Sequence, residues 1–299
     1  MSSSLRLPLA WTALLVCPAL FAVNQLAARY VDFVPPHALA LGRWACALLI
    51  LLPFVGGRLW QQRAALRREW PDLLVLGALG MWVCGAFVYV GGRTTSATNI
   101  GLIYAASPVV VVGVAALAYG ERLWPRQLAG IALCLVGVLW VIIKGDPARL
   151  LSVRFVIGDV WIAVASAAWG LYSVLLRYRP SALDPTARLA AIIAGGVAVL
   201  IPTTAIEAAL QGAPSLDGRS LATILVLAVV PGVGAYGAYS YALGVLGAGR
   251  AAIGMYLGPI YTGLMAWPLL GETPTRYHIV GALLVLPGIF LATRLPRGR

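Results

Sequence analysis

Charge is what this 299-residue chain has least of. Asp, Glu, Lys and Arg make up 11% of it, against about 25% in soluble domains. Hydrophobic residues reach 61% and mean hydropathy is +0.89. A fold with so little polar surface cannot be covered in water, so lipid is the expected solvent. Lysine is nearly absent, Lys144 being the only one. The net charge of +12 rests on arginines scattered through short polar segments. That distribution lacks the clustered footprint a nucleic-acid partner requires. Cysteine is scarce, and Cys17, Cys46, Cys84 and Cys134 all fall inside apolar runs without metal-ligand spacing. They are expected to be packing residues, with no metal site and no cofactor. There is no HExxH motif, no deep Ser–His pair and no paired deep acids, which argues against an intramembrane enzyme. The longest polar stretches, about 57–69, 145–155 and 211–219, are too short for a soluble domain.

What is present is a series of apolar runs of roughly 20 residues, each long enough to cross a bilayer. Ten are expected: about 9–29, 36–56, 71–91, 97–119, 125–144, 156–177, 186–208, 220–242, 250–270 and 277–294. Pro35-Pro36 opens the second, Trp70-Pro71-Asp72 the third, and Pro125 sits at the first turn of the fifth, where a missing N–H costs nothing. With the N-terminus placed in the cytoplasm, the inner segments carry about twice as many arginines and lysines as the outer ones. Arg58, Arg63, Arg67 and Arg68 are the densest group. Both termini are therefore expected inside, in a bacterial cytoplasmic membrane.

The chain also contains itself twice. The run from Pro108 to Gly120-Glu121 returns 151 positions later as Pro259 to Gly271-Glu272, and Gly130 and Gly137 return as Gly281 and Gly288. Pro36 and Pro53 return as Pro185 and Pro202. The expected fold is all-α and integral to the membrane, with ten transmembrane helices as two five-helix repeats, residues 1–150 and 151–299. An odd number of spans per copy inverts the second copy. Inverted repeats place a site near the midplane and let one half rock on the other in alternating access.

The stretch from Thr95 to Ser107-Pro108, continuing to Gly120-Glu121-Arg122, resembles the EamA repeat of the drug/metabolite transporter superfamily. So does Ala248 to Pro259, continuing to Gly271-Glu272, and so does the early arginine of Leu41-Gly42-Arg43-Trp44. The resemblance covers nearly the whole chain. Within that superfamily the chain is most similar to the YddG-type exporters of aromatic amino acids. This implies efflux of phenylalanine, tyrosine, tryptophan and related amphipathic compounds through a central cavity. Export of other amino acids, metabolites or drugs, with or without proton coupling, is the alternative.

The candidate site residues follow from depth and chemistry. Asn24 is an amide inside the first span and needs a neighbour or a ligand. Arg43 is the only cation well inside a span. It is either structural, bonded to helix carbonyls or snorkelling outward, or a clamp for a substrate carboxylate. Trp82, Tyr89, Tyr104, Trp169, Tyr172, Tyr239, Ser240 and Tyr256 could wall a pocket for a flat amphipathic substrate. Pro108 and Pro259 are expected to free carbonyls in mid-helix. Glu121 and Glu272 are expected as caps or arginine partners, or as gates on opposite faces. All ten acids fall in loops or end turns, so no deep proton-relay carboxylate is expected. Transport is then facilitated diffusion, or is coupled to protons through His37 or His278. Partners are a small-molecule substrate and the bilayer. Oligomeric state is left open by the sequence.

Overall fold

A computed structural model describes residues 3–105, 107–120, 124–150, 156–214, 217–246 and 257–293. Among them every regular element is helical. In chain order these are α1 (Ser3–Tyr30), α2 (Pro36–Gln61), α3 (Arg63–Gly77), α4 (Cys84–Gly92), α5 (Ala97–Ala105), α6 (Ser107–Tyr119), α7 (Pro125–Ile142), α8 (Ile157–Tyr178), α9 (Pro185–Gln211), α10 (Gly218–Leu227), α11 (Ala235–Leu246), α12 (Gly258–Leu270) and α13 (Arg276–Thr293). Seven helical stretches are long and apolar enough to cross a membrane. The helices α7, α12 and α13 fall at three further expected spans. Large apolar side chains face outward along these helices, among them Leu49, Phe54, Leu117 and Leu210. That surface is suited to acyl chains and not to water.

Two helices carry the same defect. A π-helical segment, Ala78–Val83, joins α3 to α4, and another, Ala228–Gly234, joins α10 to α11. A π segment inserts extra backbone into a helix, so it bends the axis and leaves carbonyls underused. In the second copy the cause is visible, since Pro231 has no N–H to give. Pro108 falls within the helical stretch Ala97–Tyr119, whereas the expected mid-helix position of Pro259 is corrected: it is the second residue of α12. There the ring fits without breaking a hydrogen bond.

The packing between the two copies is reciprocal. The helix α1 packs on α11 and α12, while α8 packs on α4 and on α5 and α6; α2 packs on α9, and α7 on α13. A Cβ added to Gly137 would lie 2.7 Å from Val285, and one added to Gly288 would lie 2.7 Å from Cys134. Val285 is the counterpart of Cys134, and Gly288 of Gly137, so each helix meets the other through the same residues running in opposite directions. The missing side chains let the two backbones close, as small residues do between helices in lipid.

The α2–α9 pair is fastened at both ends. Asp184 caps α9, accepting from the N–H groups of Thr186 (3.1 Å) and Ala187 (3.2 Å), and Arg58 of α2 lies 3.5 Å from it. At the other end Pro35 can offer α2 no cap. Glu207 of α9 supplies the acceptor instead, taking the N–H groups of His37 and Ala38, each at 3.0 Å. Asp217 caps α10 through the Ser220 N–H at 2.8 Å. Hydrogen bonds from the Ser220 hydroxyl and backbone hold its carboxyl below the usual range.

Candidate functional site

Arg43 is 4% exposed. It neither snorkels nor bonds helix carbonyls through Nη1. That nitrogen donates to the Asn24 side-chain oxygen and to the Tyr89 hydroxyl, the latter at 2.9 Å. Tyr89 in turn donates to the same Asn24 oxygen at 2.7 Å. Three helices, α1, α2 and α4, thus meet at one buried cation. Its guanidinium lies 4.4 Å from the Trp44 ring centroid and 5.6 Å from that of Tyr89, where the ring faces offset part of the lost hydration. No carboxylate pairs with it among the described residues, and its Nε has no hydrogen-bond partner. The indole N–H groups of Trp44 and Trp82 are also buried without partners among the described residues. Donors left idle in a low-dielectric interior cost free energy, about 1–3 kcal/mol each, and a ligand bearing acceptors recovers it.

Beside this cation stands a box of rings drawn from four helices. Phe21 of α1 meets Tyr236 of α11 edge-on at 5.4 Å and Trp169 of α8 at 6.1 Å. Trp44 of α2 meets Tyr236 at 5.5 Å. Trp169 stacks on Tyr172 at 5.3 Å with an interplanar angle of 23°. Glycines make the seats. A Cβ at Gly80 would come within 3.1 Å of the Tyr172 ring, and one at Gly85 within 3.0 Å of the Trp44 indole nitrogen. Gly80 lies in the first π segment and Gly85 just after it, so the helix defect and the box coincide.

The structure brings together part of the expected site. Asn24, Arg43 and Tyr89 form the polar triad; Trp169 and Tyr172 belong to the box. Tyr104 is adjacent, its hydroxyl donating to the Cys84 carbonyl at 3.2 Å. Trp82 stands apart from the box, in a chain of rings with Phe87 at 5.9 Å and Trp161 beyond it. Tyr239 packs against Ala10 and Leu14 of α1, one turn beyond Tyr236 on α11. The Ser240 side chain, Tyr256 and Glu121 lie outside the described residues. Phe21, Trp44 and Tyr236 complete the box, Phe21 and Trp44 without having been singled out. The available signal was spacing: Phe21 sits one turn from Asn24, and Trp44 adjoins Arg43.

A second polar cluster lies at one end of the bundle. Glu272 does not cap the helix that follows it. It accepts the N–H groups of Ala97 (3.0 Å) and Thr98 (3.2 Å) at the start of α5, and Arg29 lies 3.9 Å away. Asp159, 2% exposed in the first turn of α8, accepts from the hydroxyl of Thr95 and from the Asn99 amide at 3.4 Å. The Asn99 oxygen meets His278 Nε2 at 3.2 Å, while His278 Nδ1 accepts the Thr275 N–H at 3.2 Å. The imidazole is therefore neutral with its proton on Nε2, and every donor in the chain points toward Asp159. At the same end His37 Nδ1 lies 3.0 Å from Glu207. The acids are at helix ends, as the sequence implied, yet two of them are buried.

Comparison with known proteins agrees with this architecture. The EamA-like transporter family model matches residues 9–143 and again 156–294. The chain belongs to that family: it is a membrane transporter and not an enzyme. An uncharacterized transporter of Archaeoglobus fulgidus is 29% identical over 98% of both chains. A probable terminal-alkyne amino-acid exporter of Streptantibioticus cattleyicolor is 27% identical over 78% of this chain and 76% of its own. A probable amino-acid metabolite efflux pump of Escherichia coli is 26% identical over 64% of this chain and 65% of its own. A crystal structure covering 97% of both chains superposes with a TM-score of 0.61 at 19% identity, a likeness of fold.

Proposed function

We propose that the chain exports amino acids, aromatic ones by preference, across a bacterial cytoplasmic membrane with both termini inside. Residues 1–150 and 151–299 act as two inverted five-helix halves that rock in alternating access. The reciprocal packing of α7 on α13, the paired π segments and the double family match support that reading. The amino-acid exporters among the relatives support the substrate class. One observation carries the proposal: a buried arginine with an unpaired Nε and no carboxylate partner stands beside a five-ring box. A guanidinium takes a carboxylate through paired N–H donors, and the rings take a flat side chain by stacking and edge contacts. The amino acid would replace partners that Arg43 now finds in Asn24 and Tyr89. The test is efflux from proteoliposomes loaded with labelled phenylalanine or leucine. Faster phenylalanine efflux is expected, and equal rates would remove the aromatic preference.

A second reading, proton coupling, is favoured by the chain from His278 through Asn99 to Asp159. These groups tie α5 to α8 and α13, which join the two halves at one face, and a proton bound at Asp159 weakens that tie. The charges around it are those of Lys144, Glu272 and Arg29. An imposed pH gradient should then drive substrate uphill in the native chain and fail to do so in Asp159→Asn. No uphill movement in the native chain would leave facilitated diffusion, and uphill movement in both proteins would take the coupling away from Asp159.

A further inference from the structure

The densest arginine group of the chain borders a groove that the transport route does not use. The end of α2 and the start of α3 meet at Gln62, and a cavity of about 550 Å³ opens between them. Its floor is apolar, formed by Leu52, Leu59 and Leu66, and its rim carries Trp60, Arg63 and Arg67. The four arginines of this segment differ in their company. Arg58 lies 3.5 Å from Asp184, and Arg68 lies 3.6 Å from Glu69. Arg63 and Arg67, the two at the groove, meet no carboxylate among the described residues. The Arg63 guanidinium rests 4.9 Å from the Trp60 ring centroid, and Trp60 is 71% exposed. Gly56 keeps the floor open: a Cβ placed there meets nothing within 4 Å. Leu49, exposed and one turn before Leu52 on the same face of α2, extends the groove toward the acyl region, so a lipid chain reaches it sideways.

Position and charge together select an occupant. A tryptophan with two arginines one turn apart, above leucines, matches the order found across a membrane interface: phosphate, glycerol level, acyl chain. We propose that this groove holds one anionic glycerophospholipid. Arg63 and Arg67 bind its phosphate diester, Trp60 packs at the glycerol level, and one acyl chain lies along Leu52, Leu59 and Leu66. A second copy of the chain would bring its own Arg63 and Arg67 against these two and repel, which disfavours a symmetric protein contact at the same rim. The proposal stands apart from what the transporter carries.

Native mass spectrometry of the full chain released from detergent tests it, with phosphatidylglycerol and phosphatidylcholine of identical acyl chains as probes. One phosphatidylglycerol per chain should be retained in preference to phosphatidylcholine. The double variant Arg63→Gln, Arg67→Gln should weaken phosphatidylglycerol retention by roughly thirtyfold, as expected for two arginines at a membrane surface, and leave phosphatidylcholine unchanged. Gly56→Leu fills the floor with all charges intact and should displace the same lipid. Equal retention of the two lipids by the native chain overturns the proposal. Unchanged phosphatidylglycerol binding in Gly56→Leu overturns it as well, since surface charge alone would then explain the affinity. A thermal melt of each variant confirms folding, and either variant alone suffices for the decision.

Discussion

The hydroxyl of Tyr89 donates to the Asn24 side-chain oxygen at 2.7 Å and receives a hydrogen bond from Arg43 at 2.9 Å. One phenol thereby orients both an amide on α1 and a guanidinium on α2. Removing only its oxygen, in Tyr89→Phe, leaves the ring packing intact and leaves Arg43 with Asn24 alone. A loss of about 1–3 kcal/mol in stability is expected for a buried polar group stripped of a partner. A denaturation midpoint in detergent measures it, and a midpoint unchanged from the native chain would show that the triad is not tied together in this way.

Arg43 separates binding from packing. Arg43→Lys keeps a charge but loses the planar fork. It should weaken transport of phenylalanine by about tenfold or more, the scale of one charged hydrogen bond. Phenethylamine, which lacks the carboxylate, should be transported by both proteins at similar rates. If the amine loses transport along with the amino acid, Arg43 is holding the helices and not the substrate.

The glycine seats under the box can be filled one at a time. Gly80→Ala pushes a methyl against the Tyr172 ring, and Gly85→Ala pushes one against the Trp44 indole, at 3.1 and 3.0 Å. Each should destabilise by about 1–3 kcal/mol, as overpacking does. Gly56→Ala, with open space around it, serves as the control and should be near neutral.

The junction of Glu207 with α2 rests on backbone more than on imidazole. Glu207→Gln loses the charge that faces the N–H groups of His37 and Ala38, and should cost about 1–2 kcal/mol. His37→Ala retains those N–H groups and should cost less. Melting curves of the two variants give the order, and the reverse order would assign the junction to the imidazole.

Much of the frame was legible in the sequence because its signals are local. Apolar runs between prolines gave the helices, and the offset of Pro108 and Pro259 gave the repetition. Arg43 and Asn24 stood out because a polar group at depth needs a reason. The box was less legible. Phe21, Trp44, Trp169 and Tyr236 come from four helices, and aromatic side chains are common throughout the chain, so spacing from Asn24 and Arg43 marks Phe21 and Trp44 but not the way the four rings meet. Glu272 was read against the helix after it, but its partners are the N–H groups of α5, 175 and 174 positions away. Asp159 looked like an end-turn acid, and only the approach of α5 and α13 makes it a buried one.

The α2–α9 pair has a consequence for handling the protein. At one end Arg58, its side chain 57% exposed, meets a partly exposed Asp184, while at the other Glu207 sits sealed against the start of α2. Dissolved ions weaken charges they can surround and scarcely affect charges they cannot reach. Raising ionic strength therefore loosens the α2–α9 pair at its Arg58 end before its Glu207 end, and the choice of buffer becomes a choice of how firmly those two helices are held together at one of their two ends.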